Sequence, residues 1–365
     1  MQQSVLLTAG GTGGHLFPAF ALAQELARRG IDVDLATDER GDRFGSDFPA
    51  RRIYQIPSAT LASRSPLAVT KTLTSLSKGV AVAHRLLGRI RPAVVMGFGG
   101  YPTFPPLFAA RLRGKPSAIH EANAVMGRAN KMLAKHVSAI ATSFPETRRL
   151  EGIVESKIRF TGNPVRQTVV ELGQRAYRAP DPSSHFNLLV FGGSQGARYF
   201  SETVPPALGQ LPEDIRSHLR VIQQCREEDL ASVEAAYRLS GIASELSTFF
   251  SDLPARIAHS HLVIARSGAS TVSELAVLGR PAILVPLPHA LDNDQLYNAT
   301  RLAEVGGAWC IEQVDLDASR LAHEIQQLFR APARLSAAAV AAKEMGKPDA
   351  VISLADLIEE LAGRG

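Results

Sequence analysis

An α/β fold with two doubly wound parallel sheets is predicted by three features of this sequence. A glycine-rich turn occurs twice, each time between an apolar run and an amphipathic helical pattern. Residues 4–9 lead into Gly10-Gly11-Thr12-Gly13-Gly14-His15, and residues 186–191 lead into Gly192-Gly193-Ser194-Gln195-Gly196-Ala197-Arg198. Short apolar runs alternate with helical patterns through both halves, the rhythm of parallel strands joined by crossover helices. The chain is 365 residues long, enough for two separate cores.

The elements follow in order. In the first half, strands are predicted at 4–9, 31–36, 52–57, 93–96, 117–120, 137–141 and 158–161. Pro18 stands where a helix can start without losing a hydrogen bond, and Gly30 ends that helix after Arg28 and Arg29. The Pro/Ser/Asp stretch 179–184 reads as the exposed segment before a new domain core. In the second half, strands are predicted at 186–191, 219–223, 247–250, 262–265, 281–286 and 307–311, and a helix at 351–362 closes the chain. The expected division is an N-terminal domain over 1–163, a C-terminal domain over 164–345 and a final helical segment over 346–365 that packs back on the N-terminal domain.

Composition narrows the function. Charged residues at 21% and hydrophobic residues at 45% are ordinary for a globular chain. No apolar run reaches the roughly 20 residues of a membrane span. The first basic residue is Arg28, so the N-terminus lacks the pattern of a secretory signal. Cys225 and Cys310 are too few for a disulfide framework or a zinc site, and a reducing cytoplasm is the expected setting. The net charge of +5 hides an asymmetry: residues 1–160 hold 22 basic and 11 acidic side chains, the remainder 18 and 24. Between Asp47 and Glu121 there is no acidic residue at all. Such a field suits nucleic acid, an anionic membrane or a polyanionic substrate. Aromatic residues are only 6% and no nucleic-acid motif is present, which disfavours the first.

The motifs carry the chemistry. A strand that turns through glycines into a helix presents unpaired N–H groups and the positive end of the helix dipole, a cradle for phosphate or a developing anion. One such turn per half suggests two nucleotide-type lobes facing across a cleft. The first turn departs from the dinucleotide spacing G-x-G-x-x-G, because Leu16 stands at the third glycine position, although Asp38 lies at a suitable distance for a ribose. His15 is at the start of the helix, where its cation is disfavoured. It is the candidate general base, with a histidine that only ties the loop as the other reading. Gly97-Phe98-Gly99-Gly100-Tyr101 and His120-Glu121-Ala122-Asn123 follow strands at the ends where open α/β sheets bind ligands. Glu121 is the second candidate base.

In the second half, Arg266-Ser267-Gly268-Ala269-Ser270-Thr271-Val272-Ser273-Glu274 is another strand-to-helix turn. It can hold a phosphate on its donors and a ribose diol on Glu274, or be an ordinary capping box. Asp292-Asn293-Asp294-Gln295 suits sugar hydroxyls or a solvated loop equally. From Leu61 to Leu87, bases alternate with apolar residues. Leu67, Lys71, Leu73, Lys78 and Arg85 are expected to face an anionic leaflet, against the alternative of a packed helix with a solvated basic face.

Seven motifs in order resemble the MurG family of bacterial cell-wall N-acetylglucosamine transferases. They are GGTGGH at 10–15, GFGGY at 97–101, HEAN at 120–123, TGNPVR at 161–166, GGSQGAR at 192–198, SGASTVSE at 267–274 and DQLYNA at 294–299. The resemblance implies a two-lobed glycosyltransferase B fold. It also implies inverting transfer from UDP-N-acetylglucosamine to the C4 hydroxyl of undecaprenyl-pyrophosphoryl-N-acetylmuramoyl-pentapeptide. The implied place is the cytoplasmic face of the inner membrane, as a peripheral protein in peptidoglycan synthesis, without cofactor or obligatory metal. Donor-binding positions carried over from the family are Thr12, Gly13, Gly14, Asn123, Arg166, Ser194, the main chain of Phe250, Ala269, Ser270, Thr271, Val272, Ser273, Glu274 and Gln295, and Gly99, Gly100 and Tyr101 are expected on the acceptor side. Two positions depart: the family usually has an aliphatic residue at Phe250, and many members have histidine at Asp294. A UDP-N-acetylglucosamine epimerase of the same architecture and a non-enzymatic membrane-surface scaffold are the rival readings.

Overall fold

The structure is a computed structural model and describes residues 4–10, 13–38, 48–58, 66–181 and 184–363. Side chains are described throughout these except at 66–71, 73, 194–197 and 291. The chain divides into two compact units, Met1–Arg166 with Pro348–Gly365, and Gln167–Lys347.

Unit 1 runs β1 (Ser4–Thr8), α1 (Gly13–Arg28), β2 (Asp32–Thr37), β3 (Arg52–Gln55), α2 (Pro66–Ile90), β4 (Val94–Gly97), α3 (Phe104–Leu112), β5 (Ser117–Glu121), α4 (Arg128–Leu133), β6 (Ala139–Thr142) and β7 (Ile158–Phe160). The sheet order is β3-β2-β1-β4-β5-β6-β7, and all neighbouring strands run parallel. The order reverses between β1 and β4, where Val5 pairs with Val94 and Thr8 with Gly97. That reversal leaves a crevice at the carboxyl ends of these two strands.

Strand alternation sends Val5 and Leu7 to one face, with Leu22, Leu26 and Met96, and Leu6 to the other, with Leu87, Val95 and Ile119. Both faces are buried, which is why β1 reads as an unbroken apolar run. Unit 1 is completed by the last helix of the chain. Leu354, Ala355, Ile358 and Leu361 of that helix, residues 350–363, enter the same core as Leu22 and Leu26, and Arg29 ties it with a 2.7 Å ion pair to Asp356. One helix start differs from expectation: α1 begins at Gly13, so Pro18 lies inside it. The carbonyl that Pro18 leaves without its helical donor belongs to Gly14, which is exposed.

Unit 2 runs α5 (Gln167–Gly173), β8 (Phe186–Phe191), α6 (Gly193–Gly209), α7 (Glu213–Arg216), β9 (Leu219–Gln224), α8 (Leu230–Leu239), β10 (Ala243–Ser247), α9 (Leu253–His259), β11 (Leu262–Ala265), α10 (Ala269–Leu278), β12 (Ala282–Leu284), α11 (Asp294–Glu304), β13 (Ala308–Cys310), α12 (Ala318–Phe329) and α13 (Pro332–Met345). The helix at Ala350–Gly363, α14, belongs to unit 1. The second sheet is again parallel, in the order β10-β9-β8-β11-β12-β13, and its reversal lies between β8 and β11. Its core includes Phe186, Leu188 and Val190 of β8, Ile264 of β11, and Phe200 and Ile325 of the covering helices.

The strand expected at 247–250 is instead β10 at Ala243–Ser247. It is an edge strand paired only with β9, none of its residues is buried and Ser244, Glu245 and Ser247 are polar, so apolar content pointed to the wrong residues. Ser247 closes it by donating from Oγ to the Phe249 carbonyl at 2.8 Å, and Phe250 turns inward beneath the Arg256 guanidinium, 4.3 Å from the ring centroid.

Candidate active site and its relatives

In unit 1, Gly10 of the first glycine turn meets the glycines at 97–100 at the reversal point. Gly10 N–H donates to the Gly99 carbonyl at 3.3 Å, which joins the loop after β1 to the loop after β4. Gly99 has φ +89°, a backbone region that side chains rarely enter, and a Cβ there would lie 3.3 Å from His15 Nε2. The imidazole of His15, on the first turn of α1, therefore lies against the bare backbone of this turn. Thr103 braces the same turn by donating from Oγ1 to the Gly100 carbonyl at 2.7 Å. Gly13 and Gly14 open α1 beside His15, and Tyr101 starts the short 3-10 turn that follows Gly100. Thr12 lies outside the described residues.

The end of β5 is built differently. Glu121 is 2% exposed, and its carboxylate accepts from Asn123 N at 3.0 Å, Asn123 Nδ2 at 3.3 Å, Gly127 N at 2.9 Å and Asn130 Nδ2 at 2.8 Å. Burial pushes its pKa up and these donors pull it back, leaving it above the ordinary carboxylate range. Both oxygens are committed to ordering residues 121–130, Asn123 among them. His120 is fully buried beside Phe98, with Nε2 3.2 Å from both the Gly162 carbonyl and Ser143 Oγ. Burial above all, with a smaller push from the nearby His15 and against the Gly162 carbonyl that favours the protonated ring, depresses its pKa to about 4. Arg166 lies with its guanidinium 5.5 Å from the Phe17 ring centroid, one turn from the start of α1.

In unit 2 the N-termini of α6 and α10 follow β8 and β11, the two strands at the second reversal point. Ser194 lies in the first turn of α6, and its side chain is outside the described residues. The α10 turn presents the main chain of Ala269, Ser270 and Thr271. Val272 N–H already donates to the Gly268 carbonyl at 3.0 Å, and Ser273 Oγ to the Ala269 carbonyl at 2.8 Å. Ser270 Oγ is buried without a hydrogen-bond partner among the described residues, and Glu274, one turn on, is also buried.

A neighbouring network fixes Gln295. Its Oε1 accepts from Leu287 N–H at 3.0 Å, which settles the amide with Nε2 as the donating end. Its carbonyl accepts from Ser267 Oγ at 2.8 Å, and Asn298 Nδ2 donates to the Ser267 carbonyl at 3.2 Å. Asp294 Oδ1 accepts from Gln295 N–H at 2.8 Å, and burial raises its pKa.

Sequence reasoning singled out no role for Arg266, Ser267, Asn298, His120 or Asn130. Arg266 is the most informative omission. Its guanidinium lies 5.1 Å from the ring centroids of both Tyr199 and Phe200, and donates to the carbonyls of Val285 and Pro286 and to Gln313 Oε1. It thus ties α6, the loop after β12 and the turn after β13 to the loop after β11. A basic residue directly after an apolar strand, Leu262–Ala265, was the available signal.

Two such lobes, each with a glycine turn and a helix N-terminus at its reversal point, define a nucleotide-sugar-type α/β enzyme architecture. Residues 5–142 match the glycosyltransferase family 28 N-terminal domain, and residues 187–354 match the C-terminal domain of the same family. A curated relative from Chelativorans sp. (strain BNC1) is 54% identical over 99% of this chain and 96% of its own length. It is named UDP-N-acetylglucosamine–N-acetylmuramyl-(pentapeptide) pyrophosphoryl-undecaprenol N-acetylglucosamine transferase. The crystal structure of Acinetobacter baumannii MurG superposes with a TM-score of 0.80 at 30% identity, covering 99% of this chain and 100% of that one. The chain belongs to glycosyltransferase family 28, and within it to the MurG transferases. A UDP-N-acetylglucosamine 2-epimerase structure from Listeria monocytogenes has a TM-score of 0.67 at 15% identity, covers 96% of this chain and 94% of that one, and shares the fold alone.

Proposed function

We propose that this protein moves N-acetylglucosamine from UDP-N-acetylglucosamine to the C4 hydroxyl of undecaprenyl-pyrophosphoryl-N-acetylmuramoyl-pentapeptide, with inversion at the anomeric carbon. The observation that carries the reading is the 54% identity, across 99% of the chain, to a transferase named for this donor and acceptor. The division into an acceptor and membrane domain (1–163), a donor domain (164–345) and a returning helix (346–365) is part of the proposal.

His15 takes the proton of the acceptor hydroxyl as it attacks. Its position on the glycine turn supports this, because bare backbone lets a sugar approach the imidazole closely. Glu121 acts as a positioning residue, since both of its oxygens are already engaged. Gly99, Gly100 and Tyr101 border the acceptor, and Gly13, Gly14, Asn123 and Arg166 complete the donor's surroundings. In unit 2, the N-termini of α6 at Ser194 and of α10 at Ala269, Ser270 and Thr271 stabilise the leaving diphosphate. Val272 and Ser273 continue that turn, Glu274 accepts from the ribose diol, the main chain at Phe250 meets the uracil, and the Gln295 amide donates to a sugar hydroxyl.

The lipid tail of the acceptor requires unit 1 to meet the cytoplasmic leaflet. Among the described residues no helix is long and apolar enough to cross a membrane. The exposed bases Lys78 and Arg85 of α2, with exposed Leu112 and Met132 among Arg111, Arg113, Lys131 and Lys135, support a peripheral contact. Leu67, Lys71 and Leu73 belong to the same proposed face, and their side chains lie outside the described ones.

A crystal structure with uridine diphosphate tests the donor assignment. The diphosphate is expected at the N-termini of α6 and α10 with the ribose on Glu274, and binding at any other place in unit 2 would contradict it.

A further inference from the structure

At the carboxyl end of α10, about 15 Å along the helix from the turn proposed to hold the donor, unit 2 contains a cavity of about 570 Å³ that the reaction does not use. Its walls come from the segment after α5, the last turn of α10 and one face of α13. These are not arbitrary pieces of the unit. α5 opens at Gln167, the first residue of unit 2, and α13 ends two residues before Lys347, the last.

The floor of the cavity is preformed. Lys343 of α13 donates from Nζ to the Gly173 carbonyl at 2.7 Å and to the Val277 carbonyl, so one ammonium binds the carboxyl ends of α5 and α10. A cation is favoured at such ends because their last carbonyls lack helical partners. Gly173 allows the approach, since a Cβ there would lie 2.7 Å from the Val277 carbonyl oxygen. Above this floor the lining is mainly apolar, with Leu278, Ala339 and the exposed Val340. Arg175 stands exposed at the edge and makes no ion pair among the described residues, and Glu344 is the one acidic residue of the lining. The volume falls within the roughly 300–1,000 Å³ of small-molecule sites, which are likewise mostly apolar with a few polar groups that fix orientation.

We infer that this cavity is an effector site for a small amphiphile with an apolar body and a single carboxylate. The apolar body lies along Leu278 and Val340 and the carboxylate on Arg175. Occupancy stiffens the two segments through which the chain enters and leaves unit 2, because the ligand touches both and Lys343 already links them. The inference does not depend on the proposed reaction.

Decanoate is the probe, titrated calorimetrically into the full-length protein, into Arg175→Glu and into Ser336→Trp, with circular dichroism confirming that each variant is folded. One saturable site is expected. Arg175→Glu should weaken it about tenfold by losing a charge-assisted contact, and the indole of Ser336→Trp should block it. Amide exchange in residues 167–177 and 336–347 should slow with decanoate bound. Absence of saturable binding, equal affinity in Arg175→Glu, or exchange unchanged by decanoate would overturn the inference. The exposed position of Arg175 keeps the test decisive even if Ser336→Trp fails to fold.

Discussion

Two histidines a short distance apart in unit 1 have opposite surroundings. His15 lies on a glycine turn at a helix start, whereas His120 is enclosed and held neutral, its pKa near 4. His15→Ala is expected to lower turnover by about 10²–10⁴-fold, the usual contribution of a general base. Affinity for uridine diphosphate should stay within a few-fold, and turnover near the parent value would remove His15 from the mechanism. His120 affects stability instead. Its folded pKa is depressed below the unfolded value of about 6.5, so below that pH the unfolded chain binds the extra proton. Stability from this group is complete above about pH 6.5 and is lost as pH falls towards 4, by about 3 kcal/mol in total. Denaturant titrations between pH 7 and 4 should show that slope in the parent and a shallower one in His120→Gln. Equal slopes would place the acid sensitivity elsewhere.

At the scale of elements, α2 combines two roles. Leu76, Leu86 and Leu87 are buried, whereas Lys78 and Arg85 are exposed. The apolar spacing that suggested a membrane strip is thus partly core packing, and any leaflet contact falls to the exposed bases and their neighbours. Replacing Lys78 and Arg85 together by Gln should weaken binding to anionic vesicles by about 2 kcal/mol, roughly thirtyfold, at low salt. The effect should shrink as salt is raised, and vesicle affinity unchanged by the pair would exclude this face of α2.

The elements also show what a sequence can disclose. β1 and β8 were legible because a strand buried on both faces is a continuous apolar run, and the glycines after it mark the turn. β10 was not, because an edge strand with no buried residue and three polar ones has no such run. The helix start at Gly13 was hidden by Pro18, which ordinarily opens a helix rather than sitting inside one. At the site, the glycine turns and the Ala269–Glu274 segment stood out as local patterns. The cage around Arg266 did not, because its rings come from Tyr199 and Phe200 and its acceptors from Val285, Pro286 and Gln313. The four donors on Glu121 became visible only once residues 121–130 were folded around it.

For the molecule as a whole, the two sheets repeat one solution. Each reverses its strand order once, and each sets glycine turns or helix N-termini at that reversal, where unpaired N–H groups gather. The repetition explains why one architecture serves both transferases and epimerases, and why the fold alone does not choose between them. The 54% identity to a named transferase makes the choice, and chemistry checks it: a transferase consumes its donor only when an acceptor is present, whereas an epimerase needs none.

The most direct measurement is therefore incubation of the protein with UDP-N-acetylglucosamine labelled in the sugar, with and without the undecaprenyl-pyrophosphoryl-N-acetylmuramoyl-pentapeptide acceptor. Label in the lipid fraction and matching release of uridine diphosphate are expected only when the acceptor is present. Isomerised sugar without acceptor, or an intact donor with it, would contradict the account.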